Sequence, residues 1–296
     1  MKPRRVLTIG STGMLGGAVR RELIKSDMQF LEASRSRGLI FDAEVDSTKA
    51  LLETAGLAPG DYVVNCVGLT KCHIVEEQPD TVARAVSLNI GFPIALAKAA
   101  ESLGLRVIQV ATDCVFSGRE GNYLESSAHD AYDVYGKSKS IGEVKSDHVM
   151  HLRCSLVGPE ARGKKSLFFE WVRGTPPNSQ INGYINHNWN GLTSRAFARI
   201  VTGIIEGDKF NPDVHHLVPA DALTKYELVR MELELLDRAD VHLNAFETDN
   251  SVDRTLATNK PETNSRLFFC GGYERVPTIR EMMEELPWED LKESWF

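Results

Sequence analysis

The sequence predicts an α/β fold in which a doubly wound parallel sheet is followed by a smaller, irregular α/β region. Short apolar runs alternate with amphipathic helical patterns through the first half of the 296 residues. The runs are almost continuously apolar, which is typical of strands covered by helices on both faces. Beyond residue 158 this alternation gives way to segments rich in Gly, Pro and Asn. We therefore expect one domain over residues 1–158 and a second region over 159–296, some of which returns to the first domain.

Each predicted element follows from the spacing of its apolar residues. Strands are predicted where apolar and β-branched residues run together between turn signals, at 5–9, 29–34, 62–67, 106–112 and 149–158. Helical periodicity predicts helices at 14–25, at 80–103 with an interruption near Gly91–Pro93, from Tyr135 onward, and at 194–206, 221–237 and 278–286. The segment 174–191, "GTPPNSQINGYINHNWNG", predicts loops.

The composition argues against several classes of protein. A net charge of −7 and a pI near 5.7 argue against a nucleic-acid or anionic-membrane partner. No apolar run approaches the roughly 18 residues of a membrane span, and the apolar stretch after Arg5 is too short for a signal peptide. The five cysteines lack a CxxC spacing and the eight histidines lack a ligand spacing, so we expect reduced thiols, no metal site and a cytoplasmic location. His215–His216 is interpreted as a strand edge.

A glycine-rich turn follows the first predicted strand. In "LTIGSTGMLGG", Gly10, Gly13 and Gly16 lie between a strand and a helix. Glycines at such a turn let backbone amides approach a pyrophosphate, and the helix N-terminus adds a favourable dipole. The spacing is GxxGxxG rather than GxGxxG, and a purely structural tight turn is the alternative. In this context the turn predicts dinucleotide binding.

The end of the second strand bears on the choice of cofactor. An acidic side chain at this position binds a ribose 2′-hydroxyl, whereas an arginine accommodates a 2′-phosphate. Glu32 lies two positions too early, and the strand ends with Ser34 and Arg35. This pattern favours NADPH, with NADH possible, although Arg35 in a solvated surface turn is an alternative.

The segment "DAYDVYGKSKSIGE" contains a tyrosine and a lysine one helical turn apart. Tyr135 and Lys139 are four residues apart and share a helix face, whereas Tyr132 is four residues before Gly136. A phenol beside an ammonium has its anion stabilised, which predicts a lowered pKa and a role in proton transfer. An ordinary polar pair on a surface helix is the alternative.

Three segments in order, "GSTGMLGG", "ATDCVFSG" at 111–118 and "YGKSKSIGE" at 135–143, resemble the extended short-chain dehydrogenases/reductases. The closest resemblance is to the dTDP-4-dehydrorhamnose reductase family, over residues 1 to 160. It implies a Rossmann-type sheet and a catalytic triad of Tyr135 as acid/base, Lys139 as its partner and Thr112 as the hydroxyl that binds the substrate carbonyl.

The resemblance also implies cofactor contacts. Residues of the glycine turn would bind the pyrophosphate, namely Gly10, Thr12, Gly13, Met14, Leu15 and Gly16. Asp46 and Ser47 would contact adenine, and Cys66, Val67 and Gly68 would line the cofactor, as would Tyr135 and Lys139. Asn89 matches an asparagine of the long helix, to which we assign a structural role.

The substrate side departs from the family pattern. Leu156 stands where the family often has a tryptophan, and 182–194 lacks the usual Gly-x-Pro-Thr run. His187 and its neighbours Asn188, Trp189 and Asn190 are expected either to face a sugar or nucleobase, or to be a core anchor (Trp189) and turn formers (the asparagines). The candidate substrate residues are Thr112, Asp113, Leu156, Asn188, Trp189 and Asn190.

The resemblance implies an NAD(P)H-dependent reductase of a nucleotide-linked 4-keto-6-deoxy sugar, and a homodimer. A 4,6-dehydratase is disfavoured, because Cys114 replaces the carboxylate that such enzymes need after Thr112-Asp113. A nucleotide-sugar epimerase with tightly bound NAD stays open. A non-catalytic, dinucleotide-binding regulatory subunit is the alternative from another class.

Overall fold

The computed structural model describes residues 4–160, 167–288 and 291, and its centre is a seven-stranded sheet. All neighbouring strands in this sheet are parallel. Its strands are β1 (Arg5–Ile9), β2 (Gln29–Ser34), β3 (Leu39–Ile40), β4 (Tyr62–Asn65), β5 (Arg106–Thr112), β6 (Val149–Cys154) and β11 (Val214–His216). The spatial order is β11-β6-β5-β4-β1-β2-β3. The predicted doubly wound α/β fold is confirmed.

Both faces of the sheet are covered, as the nearly continuous apolar strands predict. In β4, Tyr62 and Val64 face one apolar core and Val63 faces the other, and all three are fully buried. The helices of the first face are α1 (Met14–Leu23), α7 (Ser194–Glu206), α9 (Pro261–Cys270) and α10 (Ile279–Glu284). The second face carries α2 (Thr48–Thr54) and α4 (Phe92–Leu103). Burial on both faces leaves only the strand ends accessible for chemistry.

The long helical region has a π-helical turn at its centre. It comprises α3 (Pro79–Val86), the π turn Ser87–Gly91 and α4, so the chain stays helical where an interruption is predicted. The stretch Pro79–Leu103 is long and apolar enough to cross a membrane by length and composition alone. Leu96 and Ala100 of α4 nevertheless pack into the core under the sheet, as in the core helix of a globular enzyme.

The strand predicted over 149–158 is divided into β6 and the short β7 (Leu156–Val157), which pairs with β10 (Leu192–Thr193). The region after residue 158 contains further short strands that the sequence does not reveal: β8 (Gln180–Tyr184), β9 (His187–Trp189), β10, β12 (Leu223–Thr224), β13 (His242–Phe246) and β14 (Val252–Asp253). The prediction of loops over 174–191 is therefore wrong for β8 and β9. Each pairs with a segment far away in sequence, β8 with β13 and β9 with β12 and β14. Pairing between distant segments leaves no recognisable pattern in the sequence of either strand.

Two segments of this later region join the first domain. Strand β11 pairs with β6 at the edge of the main sheet, so His215 and His216 are in an edge strand as predicted. Helix α7 packs along α1.

Two more helices, α6 (Phe168–Arg173) and α8 (Lys225–Leu235), pack together beside β8. Helix α8 begins later than predicted because Leu223 and Thr224 form a strand and an N-cap.

Candidate active site

The candidate site lies at the carboxyl edge of the sheet, where the strand order reverses. Strand β1 lies between β2 and β4, so the chain proceeds outward in opposite directions from this point. Loops that leave neighbouring strands at such a point diverge and leave a crevice, which is where α/β folds bind nucleotides. The glycine turn after β1, the 66–68 loop after β4 and the residues after β5 all lie along this edge.

The glycine turn packs tightly against the start of α1. Gly10 has φ +83°, and a β-carbon on Gly16 would lie 2.1 Å from the carbonyl oxygen of Gly10. Helix α1 begins at Met14, and no side chain caps the backbone amides of its first turn. These amides and the positive end of the helix dipole fit a dinucleotide pyrophosphate, because only glycine permits this close approach.

Glu32, Ser34 and Arg35 lie at or just beyond the carboxyl end of β2. The Glu32 carboxylate is 2.9 Å from Arg20 Nε of α1 and so is engaged in an ion pair. The Ser34 hydroxyl holds the following turn, accepting from the Arg37 amide at 2.9 Å and donating to its carbonyl at 3.1 Å. Arg35 is exposed in that turn. Of the two residues predicted to bind the cofactor here, Ser34 is therefore already hydrogen-bonded to the backbone of Arg37, whereas Arg35 is exposed to solvent.

Asp46 and Ser47 lie between β3 and α2. The Asp46 carboxylate accepts from the Asp42 amide at 2.6 Å, and the Ser47 hydroxyl caps α2 through the Ala50 amide at 3.3 Å. Both residues organise the loop in which an adenine contact is predicted.

The loop after β4 is held in place by buried asparagines. Asn65 accepts from the Val67 amide at 2.9 Å and donates to Gln109 of β5 at 2.8 Å. Asn89, in the π turn, bonds the Leu69 amide at 2.9 Å and donates to Ser138 Oγ at 3.0 Å. Asn89 therefore joins the cofactor-side loop to the helix that carries Tyr135 and Lys139, which agrees with its predicted structural role.

The three predicted catalytic residues come together at the end of β5. Thr112 is the last residue of that strand, and α5 (Val134–Ile141) carries Tyr135 in its first turn and Lys139 one turn later. Tyr135 hydrogen-bonds the Thr112 side chain. The helix approaches the strand end closely, because a β-carbon on Gly136 would lie 2.2 Å from the Cys114 carbonyl oxygen.

The prediction that the pKa of Tyr135 is lowered is wrong. Burial raises it, the neighbouring Cys114 adds to the rise, and the hydrogen bond with Thr112 opposes it. Lys139 Nζ donates to the Val110 carbonyl at 3.0 Å, and burial lowers the pKa of this lysine while Glu143 opposes that shift. Desolvation is thus the largest cause of both pKa shifts. Tyr135 is a neutral phenol at physiological pH, which suits a proton donor.

Lys139 also lies near the loop after β4. A β-carbon on Gly68 would be 3.9 Å from Lys139 Nζ and 3.3 Å from Asn89 Oδ1. The thiol of Cys66 stays neutral, because burial raises its pKa to about 12. This loop therefore presents an uncharged surface beside the lysine.

On the substrate side, Asp113 is buried next to the triad. Thr112 Oγ1 donates to Asp113 Oδ1 at 3.2 Å. Burial raises the pKa of Asp113, and the cations Arg254 and Lys225 oppose the rise. The Cys114 thiol has a pKa of about 12 because of burial and of Asp113. Leu156 lies in β7, half-buried at the edge of the main core.

The three candidates around β9 are engaged in the fold. Trp189 is buried in the main core, and its Nε1 donates to Ser155 Oγ at 2.7 Å. Asn190 exchanges two hydrogen bonds with the backbone of Leu256 at 2.7 and 2.8 Å. Asn188 is exposed and donates to Asp253 at 2.8 Å. These contacts favour the core-anchor interpretation of Trp189, while Asn188 bonds β14 and Asn190 bonds the segment that follows it.

A cavity of about 320 Å³ opens beside Tyr135. Its lining comprises Lys71, Ile74, Val75, Glu76, Glu77, Asp133 and Tyr135. Lys71 bridges to Asp133, the N-cap of α5, at 2.8 Å. A larger surface groove of about 480 Å³ between α4 and the loop before β6 contains none of the predicted site residues. Of these two cavities, the first is therefore the one next to a predicted catalytic residue.

Sequence reasoning missed three basic residues near the triad. Lys71 lies after β4, Lys225 begins α8 and Arg254 follows β14. Lys225 carries one local signal, a lysine directly after the N-cap Thr224, where helices favour acids. The positions of the other two follow only from tertiary contacts.

The chain matches the family model "RmlD substrate binding domain" over residues 4–267. It belongs to this family. The Xenopus tropicalis protein "Methionine adenosyltransferase 2 subunit beta" is 33% identical over 97% of this chain and 88% of its own length. The rat protein of that name is 31% identical, but the match spans only 47% of this chain and 42% of the rat protein. The Shigella flexneri dTDP-4-dehydrorhamnose reductase is 27% identical over 88% of both chains.

Solved structures of nucleotide-sugar enzymes share the fold. The Bacillus anthracis dTDP-4-dehydrorhamnose reductase in complex with NADP aligns with a TM-score of 0.77 and 17% identity, covering 97% of this chain and 99% of that one. A UDP-glucuronic acid 4-epimerase from Bacillus cereus, in complex with a fluorinated UDP-sugar and NAD, aligns with a TM-score of 0.75 and 13% identity, covering 98% and 100%.

Proposed function

We propose that this protein is an NAD(P)H-dependent reductase of a nucleotide-linked 4-keto-6-deoxy sugar. The observation that carries the proposal is the meeting of Thr112, Tyr135 and Lys139 at the carboxyl edge of the sheet, next to a glycine turn shaped for a pyrophosphate. Family membership and the similarity to the Shigella reductase support it.

In this mechanism a nicotinamide dinucleotide, when bound, supplies the hydride to the C4 ketone. Thr112 hydrogen-bonds the carbonyl oxygen and holds it beside the Tyr135 hydroxyl. Tyr135 donates its proton to the oxygen as negative charge develops, which its raised pKa permits. Lys139, buried beside the 66–68 loop, positions the nicotinamide ribose and compensates the phenolate left on Tyr135.

NADPH is the proposed cofactor, with NADH as the poorer one. The nearest acid at the ribose end, Glu32, is paired with Arg20, whereas Arg35 is exposed and available to a 2′-phosphate. Gly13, Met14 and Leu15 would bind the pyrophosphate through their backbone amides. We further propose a cytoplasmic homodimer that takes a nucleotide-diphosphate sugar as its substrate.

The direct test is stopped-flow oxidation of NADPH with a 4-keto-6-deoxy nucleotide sugar. We expect stoichiometric oxidation and a 6-deoxy-sugar product. A purified protein that carries tightly bound NAD and inverts C4 without net oxidation would point to an epimerase instead. Absence of any turnover with a panel of such sugars would refute the reductase assignment.

A second candidate function is a dinucleotide-binding subunit of another enzyme. The similarity to the Xenopus protein named as a methionine adenosyltransferase subunit extends over 97% of this chain, and it favours this alternative. The intact triad argues against it, because a subunit that only binds has no need of a proton donor. Binding of NADPH without turnover, together with an altered activity of a methionine adenosyltransferase, would support the subunit function.

A further inference from the structure

Lys225 lies at an unusual position for a lysine. It is the first residue of α8, immediately after the N-cap Thr224, whose hydroxyl and Glu227 form a capping box. The N-terminus of a helix is its positive end, so a cation there is disfavoured and an anion is favoured. The strand pairing of Leu223 with Trp189 turns this helix end towards the residues after β5.

The ammonium of Lys225 is held between two aromatic rings. Nζ lies 4.8 Å from the ring centre of Phe168 and 4.9 Å from that of Trp189. Trp189 is itself fixed through its Nε1 bond to Ser155. Within the described residues, Nζ makes neither a hydrogen bond nor an ion pair within 4 Å. Since an ammonium carries three donors, the aromatic walls fix the position of the charge without satisfying it.

Two cations and two carboxylates lie around the start of α8. Asp113 and Cys114 favour the charged form of Lys225 and Arg254 disfavours it, while burial lowers its pKa to about 8. The thiol of Cys114 is neutral, so Asp113 is the anion that acts on Lys225 from the end of β5, and Glu227 closes the capping box of α8. Arg254 is anchored by Nε to the Phe116 carbonyl at 2.9 Å. Within the described residues neither carboxylate forms an ion pair with Lys225, so the donors of its ammonium are available to a ligand.

We propose that Lys225 is a specificity-determining residue that binds the diphosphate of the nucleotide-sugar substrate. This inference rests on the proposed function, because it assigns a ligand group within the nucleotide sugar. Arg254 strengthens the positive potential beside Asp113, and the rings of Phe168 and Trp189 form an apolar wall beside the ammonium. In a low-dielectric setting a charge-assisted hydrogen bond of this kind discriminates strongly between charged and neutral ligands.

The experiment measures binding without turnover, so it is independent of the reductase assay. UDP, UDP-glucose and UDP-glucuronate are titrated calorimetrically into the NADP-saturated full-length protein. Lys225→Met retains the length of the side chain and removes its charge, and Lys225→Arg retains the charge. Lys98→Met, at an exposed position on α4, is the matched control. Circular dichroism and melting temperature verify that each variant is folded.

If Lys225 binds the diphosphate, Lys225→Met weakens all three ligands by about 10-fold or more. Weakening of UDP-glucuronate alone, with UDP and UDP-glucose bound as before, would assign Lys225 to a sugar carboxylate and overturn the proposal. Lys225→Arg should restore most of the affinity that Lys225→Met loses. The inference is wrong if Lys225→Met stays within about 2-fold of the wild type for every ligand. It is equally wrong if the wild-type protein binds none of them.

Discussion

The carboxyl edge of the main sheet and the region around β9 and α8 contribute to the same site in different ways. At the sheet edge, Thr112, Tyr135 and the glycine turn each come directly after, or one element after, a strand of the Rossmann unit. Around β9, residues that meet in space are separated by 34 to 66 positions, as with Trp189 and Ser155 or Asn190 and Leu256. In the first region, the candidate residues come together because they lie close to strands of the same unit. In the second region, residues come together through the pairing of distant segments.

This difference has a consequence for mutation. Substitutions at the sheet edge should act on chemistry or cofactor binding with little change in stability, unless they fill a tight backbone contact. Substitutions around β9 and α8 should act mainly on stability or on substrate choice. Four variants test this division, from the largest expected effect to the smallest.

Tyr135→Phe should reduce turnover by about 100-fold or more, because the phenol that protonates the alkoxide is removed. Binding of NADPH should be nearly unchanged. The matched control is Tyr132→Phe, at a side chain that is 57% exposed on the same segment. Steady-state kinetics and fluorescence titration with NADPH provide the measurements. Turnover like that of the wild type in Tyr135→Phe would contradict the assigned role.

Gly16→Ala should lower the free energy of unfolding by about 1–3 kcal/mol and weaken dinucleotide binding, because its β-carbon would overlap the Gly10 carbonyl. Gly17→Ala is the control on the same helix. Its β-carbon would meet nothing closer than Arg21 Nη1 at 3.6 Å, so it should be neutral or stabilising. Denaturant unfolding gives the free energy of unfolding of both variants. An equal change in Gly16→Ala and Gly17→Ala would show that the turn is not tightly packed.

Arg35→Ala should raise the Michaelis constant for NADPH by about 10-fold, the size expected when a phosphate loses a charged partner, and should change that for NADH little. Arg266→Ala, at an exposed arginine of α9, is the control. The comparison requires full kinetics with both cofactors. Equal changes for NADPH and NADH would remove the basis for the cofactor preference.

Glu232→Gln tests the second region. Glu232 is fully buried in α8, and neither of its carboxylate oxygens has a hydrogen bond to a described residue. Burial raises its pKa well above the usual value, with Glu170 adding to the rise. A raised folded-state pKa contributes stability that is full below the unfolded pKa of about 4.3 and is lost as the pH rises through the folded value. Gln does not titrate, so the free energy of unfolding of the variant relative to the wild type should increase with rising pH, by on the order of 1 kcal/mol at pH 8.

The control for this pH dependence is Glu234→Gln on the same helix. Glu234 is exposed and paired with Arg280, and the hydrogen bond from that arginine lowers its pKa. Its contribution is present above the unfolded pKa of about 4.3 and is lost only as the pH falls below that value. Between pH 5 and pH 8 the stability of Glu234→Gln should therefore run parallel to that of the wild type, whereas that of Glu232→Gln should diverge from it. Urea unfolding over this range distinguishes the two. A parallel pH dependence for Glu232→Gln and the wild type would mean that Glu232 does not titrate with unfolding.

The three residues predicted as a triad meet in the structure, but the predicted direction of the Tyr135 pKa shift is wrong. The four-residue spacing of Tyr135 and Lys139 is a local property of a helix, so it could be read directly. The pKa depends on how much water the packed fold removes, and burial is the largest cause of its rise. Nothing in "YGKSK" carries that information.

Lys225 illustrates the same limit for the substrate side. Its helix could be predicted from periodicity, but its closeness to Asp113 requires the pairing of β12 with β9 and the burial of Trp189. Those pairings involve strands of two or three residues, too short for a period-of-two pattern to indicate them.

The amino-acid order alone determined the sheet, its parallel strands, the glycine turn and the helix that carries the tyrosine and lysine. Each of these depends on periodicity or spacing within one βαβ unit, where neighbours in sequence are neighbours in space. Only the tertiary structure decided which groups are desolvated, which asparagines are already bonded and which cations face the triad. Those properties depend on contacts between distant segments and on the exclusion of water, and both arise only when the chain has packed.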